Sequence, residues 1–135
     1  MLELMANTIG TGGERPTVLV VEDELISQRA LVRLLSENGY LAIGVSSAEE
    51  AMAKFSKSSP PVVILIDFNL PGMNGLELIE VLRRKGVGSR MVLITASGDE
   101  DLPGQALKAG LIHYLRKPLN FVQLLTILAE KDLPN

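Results

Sequence analysis

Val62-Val63-Ile64-Leu65-Ile66 is an unbroken apolar run that ends on an acid, Asp67, and then on the turn residues Phe68-Asn69-Leu70-Pro71-Gly72. A strand with one wet face alternates apolar and polar residues. A short continuous apolar run bounded by turn residues reads instead as a strand covered on both faces, the signature of a parallel sheet between two helical layers. In an open parallel sheet, the last residue of such a strand reaches the crevice at the carboxyl edge, where ligands bind. A carboxylate there is costly unless something compensates it. Asp67 therefore has two readings: a cap for the following helix, or a nucleophile or metal ligand.

The same alternation of strand and helix runs along the rest of the chain. Thr17–Val21 is a short β-branched run, the first expected strand, closed by Glu22-Asp23-Glu24. Leu25–Glu37 carries Leu31, Leu34 and Leu35 at helical spacing and is stopped by Asn38-Gly39, a glycine past the last turn being a common helix terminator. Residues 40–45 form the second expected strand. Ser47 stands three residues before Glu50, the spacing of a capping box, and opens a helix expected to reach Lys57. Ser58-Ser59-Pro60-Pro61 breaks the chain before the Val62 run. A third helix is expected over 74–84, with Leu76, Ile79 and Leu82 toward the core, and a fourth strand over Arg90–Thr95. The fourth helix is expected to start near Asp101, with Pro103 tolerated in its first turn, and to stop at Gly110. A fifth strand over 112–116 and a fifth helix over 119–130 complete the pattern. Residues 1–16, with Gly10, Gly12 and Gly13 and little periodicity, read as a flexible leader to a folded unit at 17–131. Five strands alternating with five helices make right-handed βαβ units around a parallel sheet, an α/β doubly wound (βα)5 fold.

The strand ends carry the chemistry. Strand one ends in Glu22 and Asp23, strand three in Asp67, strand four in Thr95 followed by the small Ala96 and Ser97, and strand five in Lys117-Pro118. If strands one, three, four and five are neighbours, these groups meet in one crevice. Three close carboxylates repel, and their charged forms persist only beside a cation. Asp23 and Asp67 suit a hard divalent ion such as Mg²⁺, which takes oxygen ligands and keeps some water, and the backbone carbonyl of Asn69 is a further oxygen in reach. Lys117 adds a positive charge and Thr95 a hydroxyl. Together these groups form a cradle for a phosphoryl dianion, with a carboxylate at its centre able to attack and form an acyl phosphate. Asp23 and Glu22 also fit a helix-capping role, and Asp23 can do both.

The totals remove other classes. The 135 residues hold 13 Lys and Arg against 16 Asp and Glu, a net charge of −3, with no basic block, so direct nucleic-acid binding is not expected. There is no cysteine and only one histidine, His113, which removes disulfides, thiolate metal sites and multi-histidine sites. No stretch has the length of a membrane span and no secretion signal opens the chain, so a cytoplasmic protein is expected.

Five motifs in order make the chain resemble the receiver domain of two-component response regulators over nearly all of 17–130: Val-Glu-Asp-Glu at 21–24, Ile-Asp-Phe-Asn-Leu-Pro-Gly-Met-Asn-Gly at 66–75, Ile-Thr-Ala at 94–96, Leu-Lys-Ala-Gly at 107–110 and Tyr-Leu-Arg-Lys-Pro at 114–118. The resemblance implies a flavodoxin-like sheet of order 2-1-3-4-5 and an aspartyl-phosphate switch with Asp67 as phosphoacceptor. It implies Asp23, Asp67 and the Asn69 carbonyl as ligands of Mg²⁺ or Mn²⁺, with Glu22 acting through water. Thr95 and Lys117 would bind the phosphoryl oxygens, Tyr114 would change rotamer on activation, and Pro118 would follow a cis peptide bond. The implied donor is a histidine kinase or histidine phosphotransfer protein. The domain would be no enzyme in the usual sense, but a phosphoacceptor that takes part in its own phosphorylation and dephosphorylation, with Asn69 a candidate for setting the phosphoryl lifetime.

The sequence departs from that family at Glu22, one methylene longer than the aspartate found in many members, and at Phe68, a bulky neighbour of the phosphoacceptor expected to restrict the crevice. On the fifth expected helix, Phe121, Leu124, Leu125 and Leu128 share one face at 100° per residue, while Val122 and Ile127 fall outside it. With Ile112 these two are expected to form an apolar contact for a second copy or an effector, on the face built by helix four, strand five and helix five. A non-phosphorylated pseudo-receiver scaffold is the alternative, disfavoured by the intact Asp23, Asp67, Thr95 and Lys117. A haloacid-dehalogenase-like phosphatase would need a second carboxylate two residues after its nucleophile, where Asn69 stands. A flavin-binding domain would need a phosphate loop where Glu22-Asp23-Glu24 stand. Five residues follow the last helix, which leaves open a free-standing regulator or a receiver cut from a larger protein.

Overall fold

The computed structural model describes residues 15–55, 60–96 and 113–130. Five strands, β1 (Thr17–Val21), β2 (Leu41–Val45), β3 (Val63–Asp67), β4 (Arg90–Thr95) and β5 (His113–Arg116), form one sheet in the order β2-β1-β3-β4-β5. Every pairing is parallel, with Val21 opposite Ile66, Asp67 opposite Ile94, and Thr95 opposite Arg116. The helices among the described residues are α1 (Leu25–Glu37), α2 (Ala48–Lys54), α3 (Gly75–Arg84) and α4 (Phe121–Ala129), the last being the fifth expected from the sequence. The helix expected between Asp101 and Gly110, the Leu-Lys-Ala-Gly motif, Ser97, Ile112 and nearly all of the 1–16 leader lie outside the described residues.

The continuous apolar strands are explained by two cores, one on each face. Val18, Val20, Val63, Leu65, Val92, Ile94 and Leu115 pack with Leu31 and Leu35 of α1 and Leu124, Ile127 and Leu128 of α4. The alternate residues Leu19, Val21, Ile64, Ile66, Met91 and Leu93 pack with Ala48 and Ala51 of α2 and Leu78, Ile79 and Leu82 of α3. Side chains alternate between faces with a period of two, so both sets must be apolar. Each fully buried Leu or Ile contributes roughly 1.5–3 kcal/mol relative to leaving it in water.

Helix starts follow local chemistry. Asn74 caps α3 with a full capping box: its side chain accepts from the Glu77 amide at 2.9 Å, and the Glu77 carboxylate accepts from the Asn74 amide at 2.9 Å. Ser47 accepts from the Glu50 amide at 3.1 Å, and Asn120 from Gln123 at 3.0 Å. Asn120 explains why α4 begins at Phe121 rather than 119.

Other expectations need correction. Strand three begins at Val63 rather than Val62, which is 49% exposed. Helix α2 ends at Lys54 with Phe55 as its C-cap, short of Lys57. On α4 the expected faces are partly exchanged: Ile127 is 5% exposed and belongs to the core, while Phe121 is 47% exposed. Leu124, Ile127 and Leu128 pack into the core against the sheet, whereas Phe121 sits in the first turn and borders a cavity with Leu31 and Leu119. Ile127 is therefore not part of an apolar contact surface, and of the three residues expected there only Val122 is described as exposed, at 75%. No helix among the described residues is long and apolar enough to cross a membrane.

Candidate functional site

The two-residue period that builds the cores also aims the strand ends. Asp67 follows Val63 and Leu65 on the face of α1 and α4. Glu22 continues Val18 and Val20, and Lys117 continues Leu115, one step beyond their strands. Thr95 instead follows Met91 and Leu93 on the opposite face, where Tyr114 packs half-buried against the core.

Asp67 is 3% exposed. Its Oδ1 accepts the Asn69 amide at 3.0 Å and its Oδ2 accepts the Lys117 ammonium at 3.1 Å. Lys117 also donates to Glu22 Oε1 at 3.4 Å, and Glu22 Oε2 accepts the Glu24 amide at 3.2 Å. Glu22 and Asp67 are buried and Asp23 is exposed; a carboxylate oxygen from each lies within 4.8 Å of the others. Three carboxylates cluster here and one ammonium bonds two of them, a hard-oxygen donor set with an excess of negative charge suited to a divalent cation. Of the sequence-predicted residues, Glu22, Asp23, Asp67 and Lys117 are thus brought together. Thr95 is buried, but its hydroxyl donates to the Ala96 carbonyl at 2.9 Å. The Lys117–Pro118 peptide bond is cis.

Backbone bonds fix the loops that carry these groups. The Phe68 amide donates to the Ile94 carbonyl at 2.7 Å, Gly75 to Phe68 at 2.8 Å, and Lys117 to Thr95 at 2.8 Å. Gly75 is needed for close approach: a Cβ there would lie 2.6 Å from the Asp67 carbonyl oxygen. Asp67 does not cap α3, since Asn74 fills that role. The N-cap of α1 is Glu24, which makes no side-chain cap bond, though its carboxylate accepts from the Ser27 hydroxyl. Phe68 packs half-buried against the core on the α2 and α3 face. A cavity of about 290 Å³ opens on the other side, with Glu22 and Lys117 at one end and Leu31, Ile94, Leu119 and Phe121 along it. Sequence reasoning does not single out Gln28, whose amide spans the β1–α1 and β2–α2 loops.

Burial pushes the Glu22 carboxyl up to about 7, helped by its hydrogen bond to Asp67 and by that residue's charge, while the Glu24 amide and Lys117 pull the other way. For Lys117, burial alone would lower the ammonium; the bonds and charges of Asp67 and Glu22 outweigh it, and the net shift is upward. An acid whose folded pKa is raised binds its proton more tightly when folded. Its stabilising contribution is complete below the unfolded value of 4.5 and is lost as pH rises through about 7. In chelator, the melting temperature is therefore expected to fall across that window, by an amount equivalent to roughly 3 kcal/mol at most. Glu22→Gln should flatten the profile, as thermal melts at a series of pH values will check. Lys117 adds no slope there, because its raised pKa matters only above 10.5.

Comparison with known proteins agrees with this geometry. The family model described as response regulator receiver domain matches residues 18–129. Two-component response regulator PhoP of Pseudomonas aeruginosa is 37% identical over 107 residues, covering 79% of this chain and 47% of that protein. The nitrate/nitrite response regulator NarL of Escherichia coli is 34% identical over 118 residues, covering 87% of this chain and 55% of that protein. The chain spans about half the length of these curated relatives. A CheY-like response regulator receiver domain protein from Methanospirillum hungatei superposes with a TM-score of 0.78 at 26% identity, covering 85% of this chain and 91% of that one.

Proposed function

The chain belongs to the response regulator receiver domain family of two-component systems, and from that premise we propose that Asp67 accepts a phosphoryl group from a histidine kinase or histidine phosphotransfer protein in the cytoplasm. The observation that carries this reading is the buried Asp67 carboxylate, clamped between the Lys117 ammonium and the Asn69 amide beside two further carboxylates. The receiver unit is proposed to run over 17–131.

An Asp67 carboxylate oxygen attacks the donor phosphorus in line. The new O–P bond forms as the bond to the donor imidazole breaks, and the departing nitrogen takes a proton. The clamp on both Asp67 oxygens limits the orientations from which attack must be found. Lys117 already touches Oδ2 and is placed to follow the arriving charge onto a phosphoryl oxygen. Asp23, Asp67, the Asn69 carbonyl and, through water, Glu22 fit the oxygen set that Mg²⁺ or Mn²⁺ prefers, and such an ion would supply neutralisation of charge on the phosphoryl oxygens. The Thr95 hydroxyl exchanges the Ala96 carbonyl for a phosphoryl oxygen, and Tyr114, on the same face, moves into the space released. That change shifts the population of the surface that a downstream partner reads. The domain then assists hydrolysis of its own acyl phosphate rather than turning over an external substrate.

Intact-mass spectrometry with acetyl phosphate is the direct test. One labile phosphoryl adduct is expected with Mg²⁺ and none in chelator. No adduct on a folded protein at any donor concentration would instead favour a non-phosphorylated scaffold.

A further inference from the structure

Gln28 stands in the second turn of α1, away from every motif used above. Its Nε2 donates to the Glu22 carbonyl at 2.8 Å, to the Val45 carbonyl at 2.9 Å and to Ser46 Oγ at 3.1 Å. Only the amide nitrogen can serve two carbonyls, which fixes the orientation of the side chain. The Val45 carbonyl also accepts the Glu22 amide at 3.0 Å. The Glu22 peptide is thus held at both its N–H and its C=O, and Gln28 supplies the second hold. Glu22 is one of the clustered acids and Asp23, the next residue, is another.

The other end of the Gln28 amide reports how tightly this device is fitted. A Cβ on Gly44 would lie 2.4 Å from Gln28 Oε1, 2.7 Å from its Cδ and 2.8 Å from its Cγ. Gly44 has an ordinary backbone conformation, since it is not among the glycines with positive φ. Any side chain at position 44 would therefore have to displace Gln28 from its seat. Two residues 16 positions apart act together, one making the bonds and the other the room.

We infer that Gln28, seated against Gly44, is a positioning residue for the metal-binding acids: it locks the β1–α1 loop so that Glu22 and Asp23 face Asp67. The inference rests on the Mg²⁺-dependent phosphoacceptor reading and deepens it. Removing the donor takes away the partner of the Glu22 carbonyl and leaves the Val45 carbonyl with the Glu22 amide alone, so Glu22 keeps one of its two holds and the loop loosens. The acids then reach a cation only after the loop is ordered again, and binding weakens by the ordering that must be done. Outer-shell partners of this kind typically change metal affinity by 10–100-fold.

The test is Mg²⁺ titration of the whole chain by calorimetry or NMR. Gln28→Met keeps the shape of the side chain and removes the donor; it is expected to weaken Mg²⁺ by about tenfold. Adduct formation at saturating Mg²⁺ should stay close to wild type. Gly44→Ala, which alters no donor and adds one methyl, should weaken Mg²⁺ in the same direction. Combining it with Gln28→Met should add nothing further, because the flexible thioether yields to the methyl. A lowered melting temperature with wild-type Mg²⁺ affinity in both single variants would reduce Gln28 to a packing role and overturn the inference. Failure of the wild type itself to bind Mg²⁺ would overturn the phosphoacceptor reading along with it, so the two failures are told apart by the wild-type titration.

Discussion

Asp67→Asn is expected to abolish phosphoryl uptake while leaving the fold intact. The substitution keeps an oxygen for the Asn69 amide, which Asp67 now accepts at 3.0 Å, and removes the nucleophile. Neither neighbour can replace it. Glu22 is pushed up to about 7 by burial and is engaged by the Glu24 amide and Lys117. Asp23 is exposed and sits outside the Lys117 clamp. The variant should show no adduct by intact mass with Mg²⁺ and acetyl phosphate under conditions that modify the wild type. Its melting temperature in chelator should be no lower than that of the wild type, since one of two adjacent buried carboxylates is gone. An adduct of equal yield on this variant would place the nucleophile elsewhere.

Lys117→Met carries the second-largest effect. Lys117 is the cation that bonds both Glu22 and Asp67, and methionine preserves most of its packing while removing its charge. Loss of one pre-placed charge donor at a transition state is worth about 10²–10³ in rate, and adduct formation at saturating Mg²⁺ should slow by about that factor. The same change removes one of the two influences that hold Glu22 down. In chelator, the pH-dependent loss of stability should therefore move to higher pH than in the wild type. Unchanged adduct kinetics would mean that the ammonium does not follow the transferred group.

The strand ends were legible because they depend on local pattern alone. The apolar run before Asp67 fixes a strand buried on both faces, and the strand ends bring Glu22, Asp23, Asp67 and Lys117 to one edge; that Thr95 lies on the opposite face from Asp67 emerges only with the strands in register. Asn74 and Glu77 likewise carry their capping box within four residues of sequence. What was hidden depends on distant chain. A helical wheel gives the angle of Phe121 and Ile127 but not how the finished sheet meets α4, so their burial was exchanged. Gln28 carries no motif, because its partners Val45 and Ser46 are 17 and 18 residues away and meet it only after the parallel crossover is made. The raised carboxyl of Glu22 follows from burial, which no motif encodes.

The five-stranded sheet stands between the two sides of this crevice like a wall with a window at its carboxyl edge. Glu22, Asp67 and Lys117 open toward α1 and α4, whereas Thr95 and Tyr114 belong to the room behind, with α2 and α3. In the proposed switch, a message received in the front room would pass to the back one through Thr95, the residue after Ile94, which pairs with Asp67. The two cores share no side chain among the described residues, so substitutions can accumulate behind one face of the wall without rebuilding the other.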